Sequence, residues 1–120
     1  MDTPSFKRKY TLNERKKLSS IMLSKDQRKV PVLLLSPQNT TTFHKEEKFI
    51  CPKDAAFTFF IIKVRKYIEL SDTQALFFMT YKNGKTRLIN PSQTIGEVYN
   101  LNKDEDGFLY IVYTTEDTFG

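Results

Sequence analysis

Covalent catalysis by a side chain needs a nucleophile, a base to activate it and a third group to orient the base. The single cysteine, Cys51, and the single histidine, His44, form the one thiol-imidazole pair in the chain, seven residues apart across an expected loop and strand. No orienting group accompanies them, so catalysis is not expected. Cys51 reads as a small, half-buried apolar side chain and His44 as a solvated loop residue. No cluster of Cys, His and acidic residues has metal-ligand spacing, so no metal and no other cofactor is expected. One cysteine makes no internal disulfide, which suits a reducing compartment.

Charge is the next feature that could act on a partner. Of the net charge of +5, all the excess lies in residues 1 to 28, which hold eight Lys and Arg against three Asp and Glu; residues 29 to 120 hold eleven of each. Such an arm could attract nucleic acid, an anionic membrane or an acidic protein surface such as that of tubulin. A solvated helix face explains it as well, and better. At 120 residues and 39% hydrophobic content the chain is the size of one domain. Its longest apolar run, Phe108 to Tyr113, is six residues, against the roughly 18 that a membrane-spanning helix needs. With no apolar leader at the N-terminus either, the expected location is the cytosol.

The elements that would position these residues follow from periodicity and punctuation. Phe6 and Tyr10, then Leu18, Ile21 and Met22, recur at helical spacing and predict two short helices, from Pro4 to Tyr10 and from Asn13 to Lys25. Lys29 to Leu35 is rich in β-branched and aliphatic residues and predicts a first strand. Ser36 to Thr42 reads as a loop, and a short second strand around Lys48 to Cys51 is closed by Pro52, antiparallel to the first. Asp54 is an expected N-cap for a helix from Ala55 to Ile68, with Phe57, Phe60, Ile61, Val64 and Ile68 on one face and Lys63, Arg65 and Lys66 off it. A strand from Leu76 to Thr80 turns through Asn83-Gly84 into another near Thr86 to Ile89. Thr94 and Glu97 make a capping box for a short helix, and Leu109 to Thr114 is a last, apolar strand suited to the centre of a sheet. Without the first two helices the order is β-β-α-β-β-α-β, that of the ubiquitin-like β-grasp. The expected fold class is therefore α+β: a mixed four- to five-stranded sheet crossed by one long helix, with two extra N-terminal helices.

Asp104-Glu105-Asp106-Gly107-Phe108-Leu109-Tyr110, with the ending Thr118-Phe119-Gly120, resembles the C-terminal signature of the autophagy ubiquitin-like modifiers, the GABA-receptor-associated-protein and light-chain-three family. Val30-Pro31-Val32, Pro52 and Asp54, Arg65-Lys66 and Ala75-Leu76-Phe77-Phe78 extend the resemblance over nearly the whole chain from about Phe6. It implies one domain, residues 1–120: a helical extension (1–28), a ubiquitin-like core (29–116) and a conjugation tail (117–120). It also implies that Gly120 is activated by ATP, passed between the cysteines of an activating and a conjugating enzyme, and joined to phosphatidylethanolamine, after a cysteine protease has removed any residues beyond it. A carboxylate without a Cβ suits narrow active sites. The lipid would then anchor the protein on the autophagosomal membrane, each buried methylene contributing about 0.8 kcal/mol.

The resemblance further implies a docking surface for short motifs, an aromatic residue and an aliphatic residue three positions later, carried by autophagy receptors and adaptors. Such a peptide adds as a strand beside Lys48, Phe49 and Ile50. Its aromatic pocket falls on Ile21, Pro31, Lys48, Ile50 and Phe108, and its aliphatic pocket on Phe49, Cys51, Pro52, Ala55, Phe60 and Tyr67, with Lys63 in place of an aliphatic residue. Lys29 and Lys48 would attract acidic residues ahead of the aromatic. Lys17, Arg28-Lys29, Glu46-Glu47 and Lys63 depart from the family pattern and mark a divergent member. No unassigned apolar stripe is expected to remain once the core and two docking pockets are filled, and a monomer before any conjugation is the expected state.

A nucleic-acid module is disfavoured because Phe57, Phe60, Phe77 and Phe78 fall in core patterns rather than on an exposed stacking platform. A ubiquitin-like adaptor that is never conjugated, and binds peptides or microtubules through its basic helices, is the alternative; dependence on Gly120 separates the two.

Overall fold

A computed structural model describes residues 3–37, 43–68 and 73–117. The elements run α1 (Ser5–Lys9), α2 (Leu12–Lys25), β1 (Lys29–Pro37), β2 (Phe43–Pro52), α3 (Phe57–Ile68), β3 (Gln74–Lys82), β4 (Lys85–Leu88), α4 (Ile95–Asn102) and β5 (Leu109–Asp117). One five-stranded sheet has the order β2-β1-β5-β3-β4. β5 lies parallel to β1 and antiparallel to β3, so that Ile111 is flanked by Leu34 and Thr80. This is the expected mixed α+β architecture with its additional N-terminal helices.

Why the central strands read as unbroken apolar runs is now plain: each alternates between two covered faces. Val30, Val32 and Leu34 of β1, with Leu109 and Ile111 of β5, pack with Phe57, Phe60 and Val64 of α3 and with Ile95 and Val98 of α4. Leu33, Leu35, Phe108, Tyr110 and Val112 face the other way, into a cluster with Phe6 of α1 and Tyr81 of β3, against which Leu18 and Met22 of α2 pack. The N-terminal helices therefore close the second face of the sheet.

Local signals place several boundaries. Thr94 and Glu97 form the expected capping box of α4. Thr11 and Glu14 form a second one, which starts α2 at Leu12, one residue before the expected Asn13. Asn83 (φ 53°) and Gly84 (φ 75°) supply the two left-handed positions of the β3–β4 hairpin.

Other boundaries differ from expectation. β2 is ten residues long rather than about four, because its partner β1 runs on through Ser36 to Pro37 and pairs with it past a register shift. The expected loop from Ser36 therefore begins as strand, and residues 38–42 lie outside the described residues. Asp54 does not cap α3. It sits in a turn, and the helix opens at Phe57, whose N–H donates to the Gln93 carbonyl (2.8 Å) beside an Ala56–Thr94 bridge. A tertiary acceptor has replaced the local cap. Phe59 and Ile62 of α3 and Phe77 of β3 are exposed, so some apolar surface does remain outside the core.

Candidate functional site

β2 is an outer strand, paired on one side only with β1. In an antiparallel ladder half of its backbone N–H and C=O groups point away from that partner. Alternation along β2 sorts its side chains onto two faces. Lys48 and Ile50 lie opposite Leu33 and Pro31, on the face that α1 and α2 cover; Phe49 and Cys51 lie opposite Val32 and Val30, on the α3 face.

The residues expected in the aromatic pocket divide by depth. Ile50 and Ile21 are 52% and 44% exposed, and Lys48 is exposed with its Nζ 4.8 Å from the centre of the Phe6 ring. Pro31 is buried, and Phe108 is wholly buried with its ring edge-on to Phe6 at 5.0 Å. Phe108 thus belongs to the core beneath α1. On the α3 face, Phe49 bridges two rings, Phe60 at 5.6 Å and Tyr67 at 6.0 Å, both edge-on. Phe60 and Cys51 are buried, Phe49, Pro52 and Ala55 half-buried, and Tyr67 exposed. The structure thus brings Phe49, Phe60 and Tyr67 into one aromatic group, with two of its members at or near the surface. Lys63 places its Nζ 5.1 Å from the Phe59 ring centre. Lys29 is exposed and pairs in register with Pro52 at the end of the strand. Gly120, and with it the expected conjugation chemistry, lies outside the described residues.

Cys51 and His44 lie in one extended strand, which sets them about 23 Å apart at roughly 3.3 Å per residue. They form no dyad. Burial pushes the Cys51 thiol up to about 12, against a small opposing pull from the Lys63 charge. At neutral pH Cys51 is a packed apolar group rather than a thiolate.

The structure adds two features that sequence spacing did not reveal. Glu46 reaches across to α1, where its carboxylate accepts from the backbone N–H of Ser5 (2.6 Å) and Phe6 (2.9 Å) and from the Ser5 hydroxyl (2.9 Å). Pro4, at the N-cap, makes no such bond, so the outer strand caps the first helix. The acidic charge at Glu46 is thereby engaged within the protein.

The second feature is a buried polar network behind Phe108. Asp106, fully buried, accepts from Arg15 Nε (2.9 Å), the Tyr110 hydroxyl (2.5 Å) and the Phe108 N–H (2.9 Å). Arg15 Nη1 also donates to the carbonyls of Tyr10 (2.6 Å) and Lys7 (3.2 Å), closing the C-terminal end of α1. Lys7 pairs with Asp104 at 2.6 Å, and the Ser19 hydroxyl donates to the Asp106 carbonyl at 2.6 Å. Burial, then the bond to Asp106, raises the Tyr110 phenol above its ordinary range. The only local signal was the acidic run just ahead of an apolar strand.

The family model described as "Autophagy protein Atg8 ubiquitin like" matches residues 14–120. The chain belongs to the Atg8 family. Among similar proteins, an autophagy-related protein 8-like protein of Dictyostelium discoideum is 36% identical over 120 residues, covering 97% of this chain and 93% of that protein. Autophagy-related protein 8h of Arabidopsis thaliana is 32% identical over 97% of this chain and 95% of its own length. The crystal structure of Trypanosoma brucei ATG8 superposes with a TM-score of 0.79 at 28% identity, covering 99% of this chain and all of the other. The chain is thus an autophagy-type ubiquitin-like protein, and the sheet, its crossing helix α3 and the docked α1 and α2 are the Atg8 architecture. Family membership places it among modifiers rather than enzymes and implies autophagy-related partners.

Proposed function

We propose that this chain is a conjugated autophagy modifier: Gly120 is joined to phosphatidylethanolamine, and β2 recruits receptors and adaptors through aromatic-x-x-aliphatic motifs. The protein moves from the cytoplasm to the autophagosomal membrane when the lipid is attached. Activating and conjugating enzymes, and a processing cysteine protease where residues follow the glycine, act on the tail. The observation that carries the docking reading is the open outer side of β2, flanked by exposed Ile50 and Lys48 on one face and by the Phe49–Tyr67 group on the other. An added strand gains backbone hydrogen bonds along β2 while its alternate side chains fall to the two faces. The conjugation reading is supported by membership of the Atg8 family, whose model matches through Gly120.

Both halves can be tested separately. Isotope-labelled full chain titrated with a synthetic Trp-x-x-Leu peptide should show amide shifts along Lys48, Phe49 and Ile50 and at Tyr67. Shifts confined to other strands would overturn the docking site. Mass spectrometry of the membrane-bound protein should find a phosphatidylethanolamine-sized adduct on Gly120, absent in Gly120→Ala. Equal membrane recovery of both forms without an adduct would favour the unconjugated adaptor.

A further inference from the structure

At the opposite end of the sheet β4 is also an outer strand, paired only with β3. Its ladder is set by the two-residue turn, with Lys82 opposite Lys85, Tyr81 opposite Thr86, Thr80 opposite Arg87 and Met79 opposite Leu88. In such a hairpin the pair that closes the turn exchanges hydrogen bonds and the next pair does not, so the backbone N–H and C=O of Thr86 and Leu88 point outward. All four residues of β4 are exposed, Leu88 at 70%.

Between β4 and the C-terminal end of α4 run two adjoining cavities of about 370 and 240 Å³, which share Thr80, Arg87, Leu101 and Asn102. Leu101, on the rim, is 69% exposed. Lys82 and Lys85 line the larger cavity, and no Asp or Glu lines either. Among the described residues the ion pairs are made by Lys7, Arg15 and Arg28, so Lys82, Lys85 and Arg87 are not engaged in one.

From this juxtaposition of an open edge, a groove and three unpaired cations, we infer that β4 is a second docking edge, which accepts an extended acidic segment of a partner protein. The two faces of the edge specify its pattern. Lys85 and Arg87 share the α4 face, and Thr86 and Leu88 share the other. An added strand therefore places acidic side chains toward Lys85, Arg87 and Lys82, and alternate aliphatic ones beside Thr86 and Leu88. Basic residues on an edge strand repel a second copy of the same edge, which protects against self-pairing and selects an acidic partner. An outward row of amides distinguishes a peptide from other polyanions, because neither a phosphate backbone nor a lipid headgroup extends a sheet.

The probe is a synthetic Glu-Val-Glu-Ile-Glu-Val peptide, titrated into isotope-labelled full chain. Amide shifts at Thr86 and Leu88, with none along β2, are the expected result. Lys85→Glu with Arg87→Glu should weaken binding at least about tenfold, since both pairs of opposite charge become repulsive. Lys48→Glu should leave it unchanged, which keeps this site separate from the β2 site. Replacing the two valines by proline, with charge retained, should also abolish binding. Three results would overturn the inference: equal binding of the proline peptide, a stronger response to a single-stranded oligonucleotide of equal charge, or shifts confined to β2.

Discussion

Arg15 of α2 and Asp106 of the segment leading into β5 meet at 2.9 Å although 91 residues separate them, and Asp106 is fully buried. The pair ties the N-terminal helices to the strand at the centre of the sheet. It also holds Phe108, whose N–H the same carboxylate binds.

Removing the cation should therefore leave an uncompensated buried charge. Arg15→Met is expected to cost about 3 kcal/mol or more of unfolding free energy in a denaturant titration. Arg15→Lys should recover only part of this, because one ammonium does not reproduce the guanidinium's bonds to Asp106, Tyr10 and Lys7 together. A loss below about 1 kcal/mol in the methionine variant would show that the network is not a clamp.

Glu46 acts more locally. Glu46→Ala removes the acceptor for two α1 amides, an effect comparable to losing an N-cap, about 1 kcal/mol. Hydrogen exchange should quicken for the first helix while β5 amides stay protected. Unchanged exchange there would mean that Phe6 packing alone holds the helix down.

Two glycines offer a controlled contrast. Both have positive φ, +75° at Gly84 and +89° at Gly107, but a Cβ at Gly84 meets nothing within 4 Å, whereas at Gly107 it falls on Ser19 Oγ. Gly84→Ala should cost about 1 kcal/mol from backbone conformation alone. Gly107→Ala should cost clearly more, in thermal or denaturant unfolding, since Ser19 must give up its bond to the Asp106 carbonyl. Equal losses would refute the steric part of this account.

The Cys51 thiol gives a pH dependence with a definite sign. Its folded value is raised to about 12 from an ordinary 9.0, so the fold favours the neutral thiol. Its contribution is complete below about pH 9 and falls as pH rises toward 12, where the unfolded thiol ionises first. Wild type should lose more stability over that interval than Cys51→Ala, and alkylation of native protein at pH 8 should be slow. Fast alkylation without unfolding would contradict the burial.

The elements were legible wherever a signal and its consequence lie within a few residues. The Thr94–Glu97 box, the Asn83-Gly84 turn and the apolar period of α3 each appear where the spacing requires. The β-grasp order followed, and the resemblance carried by Asp104 to Tyr110 named the family. For the docking site it was the resemblance, rather than the pattern of residues, that pointed to a strand added beside Lys48, Phe49 and Ile50 and to Phe49 and Tyr67 in its aliphatic pocket; Tyr67 is 42% exposed. The apolar pattern alone already read Phe60 as core, and Phe60 and Phe108 are both buried; the edge-on seat of Phe108 against Phe6 beneath α1 came only with the tertiary structure.

What the amino-acid sequence determined by itself were the short-range facts: helix caps, the tight turn, alternation and the placing of basic charge in the first 28 residues. Tertiary structure decided the rest. α3 opens at Phe57 because Gln93 supplies its acceptor, α1 is capped by Glu46 from 41 residues away, and Asp106 finds Arg15 only when α2 crosses the sheet. The physical reason is that a local hydrogen bond needs only fixed backbone spacing. A distant one exists only after apolar burial on both faces of the sheet has brought its partners together and excluded the water that would otherwise satisfy them.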